Sequence, residues 1–440
     1  MKSRRTILVL AVVLGTAVAT VGAGSPASAQ NGKLTTVSVS YTGGQANDFT
    51  DAPAFSGNGR YVAFWGAASN LVPGDTNGEP DVFVRDRRTD TTTRVSLTNS
   101  GGQPNGASSR PAISQDGRYV GFLSAASNLV PGDTNGVEDV FVRDRSAGTT
   151  TRVSVASTAA QANGASRNVA ISANGRYVAF DSDAANLVPG DTNDNQDVFL
   201  HDLRSGRTTR VSVSTTGVQS TGGSLAARIS ADGRVVAFWS TGSDLVPDDT
   251  NNGADVFVRD LRTGVTSRVS LTDGGTQPGG EIVGSFSPSL SADGRYVAFV
   301  SRGRDLVPGD TNFVEDVFVR DRVAGTTQRI SVSSQGNQSD GSSYQPVLSA
   351  DGRYVAFGSG GSNLVPGDSN GDQDVFVRDR FAGSTTLVSV SSTGVQANNS
   401  CVEVAMSPDG RFVGFGSYAW SLVPNDVNES TDVFVSRWAR

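Results

Sequence analysis

From Thr35 onward the chain is a succession of short apolar or alternating runs, separated by turns rich in Gly, Asn and Asp. No stretch beyond Gln30 carries helical periodicity. One unit shows the pattern. Pro111-Ala112-Ile113-Ser114 is a short apolar run that meets an Asp116-Gly117 turn, and Tyr119-Val120-Gly121-Phe122-Leu123 follows as a pleat-compatible run. A long polar connection, 124–138, leads to Asp139-Val140-Phe141-Val142-Arg143-Asp144. A tight turn at Ala147-Gly148 then reverses the chain into Thr150-Thr151-Arg152-Val153-Ser154-Val155. Each run predicts a strand, and Asp-Gly or Asn-Gly between such runs predicts a hairpin because both tolerate positive φ.

The unit recurs seven times. Its anchor turn reads Asn58-Gly59-Arg60, Asp116-Gly117-Arg118, Asn174-Gly175-Arg176, Asp232-Gly233-Arg234, Asp293-Gly294-Arg295, Asp351-Gly352-Arg353 and Asp409-Gly410-Arg411. Successive anchors lie 58, 58, 58, 61, 58 and 58 residues apart, the longer step coming from an insertion around Gly279-Gly280-Glu281. A four-stranded unit cannot cover both of its faces alone, so the repeats must stack linearly or close into a ring. The termini decide. The last copy stops after its third run, Asp432-Val433-Phe434-Val435, and the missing fourth run stands at the other end, as Thr35-Thr36-Val37-Ser38-Val39-Ser40. The expectation is an all-β, seven-bladed propeller of four-stranded blades over 30–440, its ring closed by the N-terminal strand completing the last blade.

The stretch Ser407-Pro408-Asp409-Gly410-Arg411-Phe412-Val413-Gly414-Phe415 and its six relatives resemble the repeat of TolB-type, WD-repeat-like bacterial propellers. There a similar Asp-Gly turn and an Asp-Val-Phe-Val strand mark each blade. The resemblance implies a propeller and little about activity. TolB itself carries an α/β domain ahead of six blades. This sequence shows no such domain, so TolB's envelope role does not carry over.

Ahead of the repeats, Lys2, Arg4 and Arg5 precede an apolar run from Ile7 to about Val21, and Ala27-Ser28-Ala29 offers a small-residue cleavage site. Residues 1–29 therefore read as a secretory signal, and the protein is expected to be secreted, with no membrane span and as a monomer. Loss of those three basic residues takes the formal charge from -7 to -10, which speaks against a nucleic-acid partner. A single cysteine and a single histidine exclude an internal disulfide, a Cys-rich metal site and most His-based relays.

The long polar connections hold the most specific pattern: Asp, Asn two residues on, and Asp six residues after the first. The sets are Asp75/Asn77/Asp81, Asp133/Asn135/Asp139, Asp191/Asn193/Asp197, Asp249/Asn251/Asp255, Asp310/Asn312/Asp316, Asp368/Asn370/Asp374 and Asp426/Asn428/Asp432. Three hard oxygen side chains in seven residues suit Ca²⁺. The same residues equally suit metal-free Asx-turns that tie a loop to a strand. Arg85, Arg143 and Arg259, on the third strands, are candidate counter-charges several residues away.

Single residues add less. His201 replaces one of those arginines, and Cys401 reads as a small buried hydrophobe. Trp65, Trp239 and Trp420 read as packing aromatics or as platforms for sugars. Asp181, Asp183, Glu403, Arg302 and Arg304 break the repeat. Near-identical blades favour a binding or scaffold protein that recognises a protein or polysaccharide through its polar loop face. The alternative is a carbohydrate-active hydrolase or lyase with acids near the central channel.

Overall fold

The computed structural model describes residues 33–251, 253–279 and 284–438. Residues 1–29, expected to form a secretory signal, and part of the insertion around Gly280 lie outside the described residues. Seven antiparallel four-stranded sheets follow one another, each in chain order except the last. That last sheet runs Cys401–Met406, Phe412–Ser417, Asp432–Arg437 and finally Lys33–Thr36. The ring is therefore closed as the termini implied, with Leu34 opposite Ser436 and Thr36 opposite Phe434. The closing strand ends earlier than the sequence pattern suggested: after Val37, whose N–H donates to Val433 O at 2.8 Å, the chain leaves the sheet.

The first strand of every blade packs against the first strands of both neighbours, so these seven strands wall a central channel. The second and third strands carry the core. A phenylalanine from each meets its partner inside every blade, as Phe64–Phe83 and Phe122–Phe141 do, with ring centroids 5.7 and 5.9 Å apart. Valines and leucines around each pair fill the space between blades, so the core is seven repeated clusters.

The anchor turns bind blade to blade. Gly117 sits at φ 75°, and a Cβ there would stand 2.2 Å from the Tyr61 ring of the preceding blade. Backbone freedom and close approach both demand glycine. The same turns form a running ladder from Gly57 N–H to Gln115 O, through Ala173, Ala231, Ala292 and Ala350, to Pro408 O. Proline has no N–H to pass the ladder back to blade 1. Side chains bridge that seam, with Phe412 lying over Gly59 and the Arg87 guanidinium 4.2 Å above the Phe412 ring.

Turns and long connections separate onto opposite faces as the repeat predicts. First strands are longer than the apolar runs suggested: Ser108–Ile113 begins three residues before Pro111. The added length holds a β-bulge, present in all seven blades between positions such as Asp51 and Ala54, or Ser109 and Ala112.

Ring closure rests on one short strand, and Leu34 is its buried side chain, packed among Val375, Val388 and Trp438. Leu34→Ala is expected to cost about 2–5 kcal/mol in a denaturant titration. A cost no larger than that of Lys33→Ala, at the exposed start of the same strand, would mean that the strand does not hold the ring.

Candidate functional site

Both long connections of each blade converge on the aspartate that opens the third strand. Asp81, Asp139, Asp197, Asp255, Asp316, Asp374 and Asp432 are all buried. One carboxylate oxygen accepts from a serine just past the outermost strand, Ser96 to Asp81 at 2.5 Å and Ser38 to Asp432 at 2.6 Å. That serine in turn accepts the N–H of the residue after the aspartate, Val82 at 3.1 Å.

The other carboxylate oxygen accepts from the asparagine amide in six blades. Asn77 donates to Asp81 at 3.1 Å, Asn135 to Asp139 at 3.1 Å and Asn251 to Asp255 at 3.2 Å. Asn312 donates to Asp316 at 3.3 Å, Asn370 to Asp374 at 2.9 Å and Asn428 to Asp432 at 3.1 Å. Asn193 instead turns its amide to Ser220 O. The asparagine oxygen accepts a backbone N–H two residues on, an Asx-turn, in every blade except that of Asn312.

In five blades an arginine that ends the outermost strand lies between the two aspartates. Arg94 reaches Asp75 and Asp81, both at 3.1 Å. Arg152 reaches Asp133 at 3.2 Å and Asp139 at 3.6 Å. Arg210 spans Asp191 and Asp197 at 3.9 and 3.5 Å, and Arg268 spans Asp249 and Asp255 at 3.1 and 3.4 Å. Arg329 spans Asp310 and Asp316 at 3.8 and 3.6 Å. Leu387 and Thr36 stand at this position in blades 6 and 7. There Gln396 donates to Asp368 and Asp374 at 2.7 and 2.8 Å, and Gln45 donates to Asp426 and Asp432 at 2.5 and 3.3 Å.

As they are arranged, these residues do not fit a calcium ion in blades 1–5. A guanidinium already lies between the carboxylates. Asn77, Asn135, Asn251 and Asn312 were expected to offer an oxygen to the ion, yet each points its N–H₂ at the aspartate. Asn370 and Asn428 point theirs the same way in blades 6 and 7. The carboxylate oxygens that a six- to eight-coordinate ion needs are spent on hydrogen bonds. Among the described residues no group of three or more His, Cys, Asp or Glu could hold a metal.

The counter-charge is also not the third-strand arginine that the sequence suggested. Arg143 donates to Leu97 O and Thr98 O of the preceding blade's connection, Arg259 to Ser214 O, and Arg85 pairs with Asp90. His201, at the same register, shares a hydrogen bond with Thr208 at 2.9 Å, and burial lowers its pKa. Cys401 is buried beside Ser417, and burial pushes its thiol up to about 12, so it is inert as a nucleophile.

Symmetry breaks at the channel. The bulge places one residue per blade at positive φ: Ala52, Arg110, Asn168, Ala226, Ser287, Gln345 and Glu403, all between 49° and 56°. Such backbone is disfavoured for side-chain-bearing residues and persists only where surroundings impose it. Six of the seven line a cavity of about 650 Å³ at the channel mouth, on the face of the long connections. Arg167, Arg228, Glu138, Asp181 and Trp239 join them there. A second space of about 400 Å³ adjoins it, sharing Arg110, Asn168, Arg228 and Glu403 and with Phe55, Ile113, Ile171 and Met406 also in its wall.

The channel groups hold one another. The Asp181 carboxylate accepts N–H bonds from Ala226 and Ala227 of the next blade at 2.7 and 3.1 Å, which pins that bulge. Arg228 donates to Asn168 Oδ1 at 3.0 Å, and Asn168 donates back to Ala227 O at 3.0 Å. Arg228 is enclosed by the ring yet open to channel water, and desolvation lowers its pKa. Asp51 accepts the Ala52 N–H at 2.8 Å and leans over Gly416, where a Cβ would lie 2.3 Å from its oxygen. Burial lifts Asp51 to about 6, with Glu403 on the adjacent blade adding to the rise and Arg110 opposing it. Burial likewise lifts Asp181 to about 6 against its two backbone donors.

Of the residues the sequence singled out as breaking the repeat, Asp181 and Glu403 belong to this site and Asp183 borders it through Arg167 at 3.3 Å. Arg302 pairs with Glu315, and Arg304 stacks on Phe313. Trp65 packs edge-on against Phe49 and Trp239 against Phe286.

No protein-family model matches the chain, and no curated protein sequence matches it. Solved propellers do. An oligogalacturonate lyase in complex with manganese superposes with a TM-score of 0.56 at 13% identity, over 93% of this chain and 98% of that one. The β-propeller domain of the Trilobed protease from Pyrococcus furiosus gives 0.54 at 11%, over 88% and 93%. That domain is described as having an open velcro topology, whereas this ring is zipped by its N-terminal strand. TolB from Acinetobacter baumannii gives 0.40 at 16%, over 77% and 62%. The likeness is one of propeller fold.

Burial holds Asp139 above the ordinary aspartate value of 3.8. An acid raised in the folded state favours folding below its unfolded pKa and opposes it once pH rises through the folded value. Arg152→Ala removes the cation that offsets this. It is expected to cost about 3–5 kcal/mol at pH 7 and clearly less at pH 5, by denaturant titration at both. An equal cost at both pH values would show that the arginine acts by packing alone.

Proposed function

We propose that this chain is an exported binding propeller whose ligand is a hydroxyl-rich chain, a polysaccharide, entering the channel mouth on the face of the long connections. The observation that carries the reading is the bulged ring. Its seven backbones are equivalent while its side chains are two methyls, a guanidinium, two amides, a hydroxyl and a carboxylate. Packing asks the same thing of every blade, so chemical variety at one equivalent position is free to serve recognition. The mouth has the size of a small-ligand site. Exposed Arg110 and Arg167 supply cationic donors, Asn168 and Gln345 both donate and accept, and Trp239 offers an indole ring against which a sugar can pack. The likeness to the lyase is a likeness of fold, and the carbohydrate reading rests on these channel residues. Export rests on the leader-like sequence of residues 1–29.

A second reading, that the bound polysaccharide is also cleaved, is favoured by Asp51. Asp181 is closed in by two backbone donors. Asp51 is half-buried, and burial, with the charge of Glu403 adding to it, lifts its carboxyl to about 6, which suits a general acid or base.

Purified protein probed on a glycan array is expected to bind a polysaccharide. Arg110→Ala should weaken that binding about tenfold or more, as loss of a charged hydrogen bond does. Arg234→Ala, on the opposite face, should leave it unchanged. Equal loss in both variants, or binding only to polypeptides, would overturn the reading. Release of new chain ends that stops in Asp51→Asn, with binding intact, would establish the enzyme.

A further inference from the structure

Blade 7 breaks the repeat at its rim as well as at the channel. Thr36 stands where five blades place an arginine, and a cavity of about 330 Å³ opens there, lined by Thr36, Ser38, Gln45, Asp426 and Asp432. Among the described residues no Lys or Arg forms an ion pair with Asp426 or Asp432, and burial raises the pKa of both. Blade 6 also lacks the arginine, but Leu387 fills its place and packs against the neighbouring core.

In the five sister blades this pair of carboxylates also holds a guanidinium, between 3.1 and 3.9 Å from each, and in blade 3 it does so with Gln219 spanning the pair as Gln45 does in blade 7. A second difference lies on the same connection. Tyr418, Trp420 and Val427 are 51%, 66% and 79% exposed. The corresponding residues of blade 2 are Ala125, Ser127 and Thr134. Val427 follows Asp426 directly, and its N–H donates to Gln45 Oε1, a group of the cavity wall, at 3.2 Å. Exposed aromatic and aliphatic side chains on the connection that carries an acidic slot are the composition of an interface hot spot.

We propose that blade 7 is a docking site for a polypeptide partner that presents an arginine, whose guanidinium enters the Asp426/Asp432 slot in trans while apolar residues of the partner pack on the exposed Tyr418, Trp420 and Val427 of the same connection. The partner completes the blade as Arg94 completes blade 1. This site is separate from the channel mouth and stands whether or not a polysaccharide binds there.

The test uses a short acetylated and amidated peptide carrying one arginine between apolar residues, and its citrulline counterpart, which keeps the shape and loses the charge. Calorimetry on the full-length mature protein is expected to show saturable binding of the arginine peptide and at least tenfold weaker binding of the citrulline peptide. Thr36→Arg, which builds in the arrangement of five sister blades, should raise the melting temperature and abolish peptide binding. Asp426→Asn should weaken binding without Thr36→Arg's gain in stability. Arginine and citrulline peptides bound alike, no peptide bound by the parent protein, or binding unchanged in a folded Thr36→Arg protein would each overturn the proposal.

Discussion

A carboxylate buried at the start of each third strand organises the whole functional face. Moving an ionised aspartate out of water is costly unless hydrogen bonds and a counter-charge replace the lost hydration. Asp81 receives Ser96 from past the outermost strand, Asn77 from its own connection and Arg94 from the end of the outermost strand. Arg94 and Ser96 come from the end of the outermost strand and Asn77 from the long connection, so satisfying one group ties both segments to the start of the third strand. The glutamine of the connection that leaves the blade joins the same cluster, Gln219 spanning Asp191 and Asp197 at 2.8 and 3.0 Å. Two long loops that have almost no secondary structure of their own thereby become rigid.

Repetition then limits where function can reside. Residues that close the blade, zip the ring or satisfy the aspartate are the same from copy to copy because each blade meets the same packing requirement. The bulge escapes this limit. Its backbone is imposed by the wheel, as in Asp181 anchoring the Ala226 and Ala227 N–H groups. Six of its seven side chains line the channel mouth, where blade packing does not require them to be alike. Blade 7 escapes for a different reason: its outermost strand comes from the other end of the chain, and there Thr36 replaces the arginine that five other blades carry.

Much of this was legible in the sequence. The Thr-Thr-Val-Ser run at the N-terminus announced the closing strand, and the Asp-x-Asn spacing located the buried acids. Which end of each asparagine amide faces the acid was not legible, because Asn135 or Asn428 can offer either an oxygen or an N–H₂ from the same position. The counter-charge was harder to see because Arg94 lies beyond the third strand and a turn, and reaches Asp75 only through the register of the outermost strand. The signal was present in the Thr-Thr-Arg that recurs at Arg94 and Arg152, and in its loss at Leu387. The bulge was hidden for a similar reason. An extra residue leaves the alternation readable on both sides, and the strand was expected to begin only at Pro111. The clue was a proline after the bulged residue in four blades, Pro53, Pro111, Pro288 and Pro346, since an inner strand tolerates proline at a bulge. Glu403 and Asp181 stood out as departures from the repeat, but which departures converge is set by the ring and not by local pattern.

The central claim is that the cation serving the aspartate pairs of blades 1–5 is the chain's own arginine. Its most direct test is the number of calcium ions bound by chelator-treated protein at equilibrium, read with the melting temperature before and after the ion is restored. The account predicts that blades 1–5 take up none and that the melting temperature is unchanged. More than two ions per chain, accompanied by a higher melting temperature, would contradict it.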